Sequence, residues 1–228
     1  LSCRFLRDTI AIIHKGIPIV NNKFQIFQKN FFAPSPTFAK ARKYAIISIF
    51  YKKAEVLIMW AYNETFYQIY PIGFCGAPTH NDGICVPRIL KLKDWSSYLE
   101  NLQIGSVLLN PIFESDNHGY DTRDFKKVDC RLGTNEDFQD VCDDLHKHHI
   151  KIVLDGVFNH VGRGFWAFQD VQEKKWDSPC KDWFYINFDG DSCYQDGFWY
   201  EGWEGHFELV KLNLQNPAVT DYLLDCVR

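Results

Sequence analysis

The chain has 228 residues, a formal net charge of −4 and 46% hydrophobic residues, enough to bury the core of one domain or to form part of a larger one. This charge argues against a nucleic-acid partner. Residues 1–58 carry a net charge of +8 and residues 59–228 a net charge of −12. Such asymmetry predicts that the front of the chain is an appended or foreign segment.

The eight cysteines show neither a CxxC pair nor the ligand spacing of a zinc site. The chain lacks the basic start, apolar core and cleavage site of a signal peptide. Its longest apolar run near the front, Tyr44 to Tyr51, is too short to span a membrane. We therefore expect reduced thiols and a cytoplasmic protein without a membrane partner. The alternative is an exported protein with a Cys75–Cys85 or a Cys180–Cys193 disulfide.

Residues 1–58 show apolar bursts without a sustained helical or strand period, and Met59 is the single methionine of the chain. We expect Met59 to be the natural start and the stretch before it to be upstream read-through or a poorly ordered extension. A small accessory domain is the alternative.

From Phe66 onward the pattern becomes regular. A strand at F-Y-Q-I-Y-P-I-G ends at a proline and a glycine, a helix covers Leu92 to Leu102, and a second strand covers Ile104 to Leu109. After a polar loop, S-D-N-H-G-Y-D-T, a short extended piece covers Asp124 to Asp129. The alternation of strands and helices predicts βαβ units and a parallel sheet.

A capping box of Thr134 and Asp137 starts the next helix, which runs to about His149. A third strand, Ile150 to Leu154, leads into D-G-V-F-N-H. Asp155 and His160 thus follow the carboxyl end of a buried strand, where α/β barrels carry working residues. The alternative is a capping Asp and a surface His.

Residues 161–208 are too long for an ordinary βα loop and contain Asp, Gly and five tryptophans. Their rings are either stacking platforms for sugars or core. Order resumes at Leu209 to Leu214, and Asn216 and Pro217 start a last helix.

Several segments together resemble the α-amylase family of glycoside hydrolases (family 13), specifically α-amylase, cyclomaltodextrinase and neopullulanase-like members. They are F-Y-Q-I-Y-P-I-G-F, N-P-I-F-E-S-D-N-H-G-Y-D-T-R-D-F, V-D-C-R-L-G-T-N-E-D-F, D-G-V-F-N-H and K-L-N-L-Q-N-P. The resemblance covers about residues 66–228. It implies an α/β fold: the first three to four strands of a (β/α)8 TIM barrel with an inserted small domain after strand three. Residues 59–160 would be the first part of the barrel, 161–208 the inserted domain and 209–228 the return to the barrel.

The resemblance also assigns roles to single residues. Tyr120 would stack on the sugar next to the cleaved bond, His118 and His160 would hydrogen-bond to it, and Asp155 would support the site. Asn159 matches a calcium ligand of many members, although that ion is not universal. Tyr120 as a packing residue and His118 as a turn residue are the alternatives.

The implied activity is hydrolysis of α-glucans or maltooligosaccharides by two carboxyl groups about 5–5.5 Å apart, with retention of configuration. The resemblance places both groups, and a third carboxylate, on later strands that these 228 residues do not contain, so we expect the chain by itself to be inactive. One alternative is a non-catalytic relative that binds carbohydrate or protein. Another is a metal hydrolase that uses Asp155, His160 and His206.

Overall fold

The computed structural model describes Thr9–Ile12 and residues 60–228. Residues 1–8 and 13–59, which include Met59, lie outside the described residues. The strands are β1 Thr9–Ile12, β2 Phe66–Ile69, β3 Ser106–Leu109, β4 Phe113–Ser115, β5 Thr122–Val128, β6 Lys151–Asp155, β7 His160–Gly162, β8 Ile186–Asn187, β9 Trp199–Tyr200, β10 Gly202–Trp203 and β11 His206–Lys211. The α-helices are α1 Pro71–Phe74, α2 Ser96–Asn101, α3 Asn135–Lys147, α4 Trp166–Lys174 and α5 Pro217–Cys226, and 3₁₀ turns cover Arg88–Trp95, Lys175–Asp177 and Lys181–Trp183.

A parallel sheet with the order β1-β6-β3-β2 forms the frame of the chain. Its strands β2, β3 and β6 lie where the sequence predicts strands, because their runs are apolar, partly β-branched and separated by helices. Strand β1 comes from the front segment, to which the sequence assigns no element; its T-I-A-I run pairs with β6 from Thr9↔Ile152 to Ile12↔Asp155.

Helix α3 begins with the predicted capping box. The Thr134 side chain accepts a hydrogen bond from the Asp137 backbone N–H, and the Asp137 carboxylate accepts one from the Thr134 backbone N–H. The apolar face of the helix (Phe138, Val141, Cys142, Leu145) is buried in the cluster beneath the parallel sheet. The capping box therefore satisfies two backbone N–H groups at the start of the helix, those of Thr134 and Asp137.

The helix predicted from Leu92 to Leu102 is only partly correct. A 3₁₀ turn over Arg88–Trp95 precedes the α-helix Ser96–Asn101. Ile89 and Leu92 are buried three residues apart, a spacing that suits three residues per turn. The extended piece predicted at Asp124 to Asp129 is the longer strand β5, which pairs antiparallel with β4.

A second apolar cluster gathers the aromatic residues after Phe158 and part of helix α5. Regular structure resumes slightly before the predicted position, because strand β11 begins at His206 rather than at Leu209. Strand β11 pairs antiparallel with β7 and β10, because Glu204 (φ 51°) and Gly205 (φ 87°) reverse the chain in a two-residue turn. Helix α5 starts at the predicted cap, where Asn216 accepts a hydrogen bond from the Ala218 N–H.

The seven cysteines that the structure describes are all free thiols, so neither alternative disulfide is formed there. Within the described ranges, no helix is both long enough and apolar enough to cross a membrane.

Candidate functional site

The carboxyl ends of the three predicted strands bring three polar residues side by side. Ile69 pairs with Leu109, and Leu109 pairs with Leu154. The residues that follow these positions are Tyr70, Asn110 and Asp155, which therefore project from one edge of the sheet.

Tyr70 and Asn110 hold the polar loop over this edge. The Tyr70 hydroxyl donates to the backbone oxygen of His118 at 3.1 Å, and Asn110 Nδ2 donates to the Tyr120 hydroxyl at 2.5 Å. Gln68 Nε2 in turn donates to Asn110 Oδ1 at 2.8 Å, which fixes the orientation of the amide. The strand ends thus set the positions of both predicted loop residues.

The phenol of Tyr120 stays neutral at this edge. Burial raises its pKa, the hydrogen bond from Asn110 opposes the rise, and the negative charge of Asp155 adds to it. Because Leu109 pairs with Leu154, Asn110 and Asp155 follow at the same sheet edge, and the hydrogen bond from Asn110 brings Tyr120 to that edge as well.

The ring of His118 is held with one nitrogen accepting. The Tyr120 backbone N–H donates to His118 Nδ1 at 3.2 Å. The backbone N–H of His118 donates to Asp121 Oδ1 at 3.1 Å. In the neutral ring the proton therefore sits on Nε2. The side chain is 45% exposed, so Nε2 can donate to a ligand hydroxyl.

His160 opens strand β7 and is 6% exposed. Its Nδ1 lies 3.2 Å from Asn159 Nδ2, and its ring centroid lies 5.3 Å from that of Trp203. In the sequence analysis, Trp203 counts only as one of five tryptophans. Its contact with His160 depends on the β10–β11 hairpin, whose position beside β7 could not be predicted from local sequence.

Asp116 joins the polar loop to the chain after His160. Its Oδ2 accepts a hydrogen bond from the Gly164 N–H at 3.1 Å, and its Oδ1 lies 3.3 Å from Arg123 Nε. Burial raises the pKa of Asp116, while these two contacts oppose the rise. A Cβ atom on Gly162 would lie 2.4 Å from the Asp121 carbonyl oxygen. No local sequence pattern predicts that Asp116 contacts Gly164 or that Asp121 contacts Gly162, because the partners are more than forty positions apart.

A buried ion pair supports the loop from behind. Arg131 is fully buried; its Nε and Nη2 donate to the two carboxylate oxygens of Asp129 at 2.8 and 2.7 Å. Nη2 also donates to Ser115 Oγ, and Nη1 donates to the backbone oxygens of Pro78, Thr79 and Asn117. A buried charge satisfied in this way fixes three chain segments relative to one another. In the sequence analysis, the stretch V-D-C-R-L-G serves only as part of one of the segments that resemble the family, and Arg131 has no role there.

The donor sets for a metal ion are incomplete. Among the described residues, the one group of three potential ligands is Glu114, Asp129 and Cys130, and Asp129 is already bound to Arg131. Among the described residues, Asp155, His160 and His206 do not form such a group, so their placement does not support the metal-hydrolase alternative. Asn159 offers one amide oxygen, whereas calcium takes six to eight oxygen ligands; Asn159 as a calcium ligand therefore stays a prediction.

Residues 68–228 match the family model for the alpha amylase catalytic domain. The chain is 34% identical over 185 residues to a maltogenic α-amylase of Bacillus acidopullulyticus, covering 74% of this chain and 31% of that protein. It is 35% identical over 188 residues to neopullulanase 2 of Thermoactinomyces vulgaris, covering 74% of this chain and 32% of that protein. The chain thus spans about a third of the length of these relatives.

Solved structures agree with these sequence matches. The debranching enzyme of Nostoc punctiforme superposes with a TM-score of 0.63 at 34% identity, covering 74% of this chain and 39% of that one. The cyclic α-maltosyl-(1→6)-maltose hydrolase of Arthrobacter globiformis gives a TM-score of 0.63 at 31% identity, covering 73% and 41%.

Proposed function

Because the chain belongs to the α-amylase family of glycoside hydrolases, we propose that the protein to which it contributes hydrolyses α-glucans or maltooligosaccharides with retention of configuration. The observation that carries the proposal is the convergence of Tyr120 and Asp155 at the carboxyl edge of the parallel sheet. A non-catalytic binding relative has less use for this arrangement of contact residues.

In this proposal the described residues bind and orient the sugar. Tyr120 presents its ring as a stacking surface. His118 donates from Nε2 to a sugar hydroxyl, and His160 makes a second hydrogen bond from the neighbouring strand. Asp155 supports the site from the strand end, where its charge helps to keep the Tyr120 phenol protonated.

The bond-breaking carboxylates are proposed to lie on later strands. In a retaining mechanism one carboxylate attacks the anomeric carbon, and the other protonates the leaving oxygen and then activates water. The 228 residues supply the sugar-binding half of such a site, so the chain alone is expected to be inactive. Asn159 as a calcium ligand stays a prediction, and no step above depends on calcium.

We assign residues 59–160 to the first part of the barrel, 161–208 to an inserted small domain and 209–228 to the return. The second apolar cluster and the antiparallel pairs of β7–β11 support an inserted unit. Strand β11 spans the boundary at 208, and the segment after it is where the chain would rejoin the barrel. A cytoplasmic location is likewise part of the proposal.

The test uses the protein expressed from its complete open reading frame. Maltoheptaose, β-cyclodextrin, starch and pullulan are offered as substrates to the native protein and to variants Tyr120→Ala and His160→Ala. We expect hydrolysis of at least one α-glucan and a fall in kcat/KM of tenfold or more, about 1.4 kcal/mol or greater, for each variant. A Tyr62→Ala variant, changed at an aromatic residue that is 82% exposed, is the control. Inactivity of the native protein on every α-glucan would contradict the proposal.

A further inference from the structure

A pocket with a volume of about 180 Å³ lies in the segment after helix α4. It shares no lining residue with the strand-end site. Its wall combines three aromatic rings and Ile186 with polar side chains. The aromatic residues are Trp176, Phe184 and Phe188, and the polar ones are Lys181, Asp182, Asn187 and Asp189.

The most exposed part of the aromatic wall is the indole ring of Trp176, which Phe188 supports from one side. Trp176 is 63% exposed, and its ring stacks on Phe188 with a centroid separation of 4.1 Å and an interplanar angle of 30°. Phe188 packs against the second apolar cluster, 5.7 Å from the ring of Phe198. Phe188 therefore anchors one face of the indole to the core, while much of the ring faces solvent.

Backbone groups of Asp182 and Asp189 make the hydrogen bonds that hold the polar wall, so the two carboxylates remain available to a ligand. The Asp182 carbonyl oxygen accepts hydrogen bonds from the side chains of Asn213 and Asn216. The Asp189 N–H donates to Asn187 Oδ1 at 2.9 Å. Within the part of the chain that the structure describes, neither the Asp182 nor the Asp189 carboxylate takes part in a hydrogen bond or an ion pair.

Lys181 fixes the aromatic wall to the polar wall. Its Nζ donates to the Trp176 carbonyl oxygen at 2.9 Å, so the ring and the acidic residues are parts of one short folded segment.

This combination selects the chemistry of the ligand. An apolar ligand would strip water from the carboxylates without replacing it, and an anion would be repelled by them. A neutral sugar satisfies both walls, because its C–H face covers an aromatic ring and its hydroxyls donate to carboxylates.

We propose that this pocket binds a glucose unit of an α-glucan chain as a second carbohydrate site, separate from the strand ends. The identity of the sugar rests on the proposed function. The site would hold a polymer on the protein while the strand-end site acts on a chain end or a short oligosaccharide.

The test compares Trp176→Ala with the native protein, both expressed from the complete open reading frame. Binding to soluble starch is measured by affinity electrophoresis, and hydrolysis is measured on maltotriose. We expect starch affinity to fall about tenfold or more and the maltotriose rate to stay within twofold. Tyr62→Ala, an exposed aromatic outside the pocket, should match the native protein in both measurements.

A paired variant of the polar wall, Asp182→Asn with Asp189→Asn, should also weaken starch binding. Unchanged starch affinity in Trp176→Ala would overturn the inference, as would a native protein that cleaves maltotriose but does not bind starch outside its active site. Loss of maltotriose hydrolysis in Tyr120→Ala with starch binding retained would support two separate sites. A native protein that neither cleaves nor binds any α-glucan would overturn this inference and the proposed function together.

Discussion

At the scale of single residues, the site depends on hydrogen bonds from the strand ends. Asn110 is oriented by Gln68 and donates to the Tyr120 hydroxyl, while Tyr70 holds the His118 backbone. Sequence motifs identified Tyr120, His118 and Asp155, because each lies in a segment that resembles the family. The supporting Tyr70 and Asn110 lie in the same segments, but only the strand register shows that they meet the loop.

The ring and the hydroxyl of Tyr120 should make separate contributions to kcat/KM. Tyr120→Phe keeps the stacking surface and loses the hydrogen bond from Asn110, so we expect kcat/KM to fall by less than tenfold. Tyr120→Ala removes the ring and should cost clearly more, with the loss appearing in both KM and kcat. Steady-state kinetics on maltoheptaose measures both. Equal losses in the two variants would show that the ring does not stack on the sugar.

The thiols should differ sharply in reactivity. Burial raises the pKa of Cys75 to about 11 and that of Cys142 to about 12, whereas Cys85 and Cys193 are exposed. Because the thiolate is the reactive form, iodoacetamide at pH 8 should label Cys85 and Cys193 first. Peptide mapping by mass spectrometry follows each site, and early labelling of Cys142 in the folded protein would contradict the burial described here.

At the scale of elements, the site consists of two pieces that touch closely. The loop that carries His118 and Tyr120 meets the strand that carries His160 at Asp116, Gly162 and Gly164. Strand and helix positions could be predicted from apolar periodicity and from the Thr134 capping box, since those signals are local. Strand β11 and the contacts of Asp116 and Arg131 could not, because they depend on pairings between distant segments.

A methyl group at Gly162 should push these pieces apart. Its Cβ would lie 2.4 Å from the Asp121 carbonyl oxygen and 2.6 Å from Asp116 Oδ2. We expect Gly162→Ala to destabilise the fold by about 1–3 kcal/mol and to raise KM.

The control for that variant is Gly83→Ala. Gly83 has φ +72° and open space around its Cβ position, so the control carries backbone strain of about 1 kcal/mol without a clash. Urea unfolding and KM are compared for both. A Gly162→Ala variant with native stability and native KM would contradict the close packing.

Residues 161–208 contain an ion pair between Arg163 and Asp196 that should respond to acid. Arg163 donates to both carboxylate oxygens of Asp196 at 2.8 and 2.9 Å. Burial alone would raise the pKa of Asp196, but hydrogen bonds from Arg163, Ser192 and Gln172 lower it to about 2. The ion pair therefore stabilises the fold at pH values above the pKa of Asp196 in the unfolded chain, near 3.8. This stabilisation is lost as the pH falls through about 2.

Asp196→Asn should thus be less stable than the native protein by about 1–2 kcal/mol at pH 7. The difference should shrink between pH 4 and pH 2. Urea unfolding at several pH values measures it. A difference that stays constant over this range would show that the carboxylate charge is not the source of the stabilisation.

At the scale of the whole molecule, two apolar clusters divide the work. One packs against the parallel sheet, and the other gathers aromatic residues that follow strand β6, from Phe158 to Tyr200. The chain spans about a third of the length of the relatives named above. Under the proposed function, its share of the enzyme would be the recognition of sugar, and the carboxylates of the reaction would lie on other strands of the barrel.

The most direct measurement is the anomeric configuration of the first product. The protein from the complete open reading frame is mixed with maltoheptaose, and ¹H NMR spectra are recorded before mutarotation equilibrates the anomers. A retaining two-carboxylate mechanism predicts that the α-anomer appears first. A β-anomer formed first, or no cleavage at all, would contradict the proposed function.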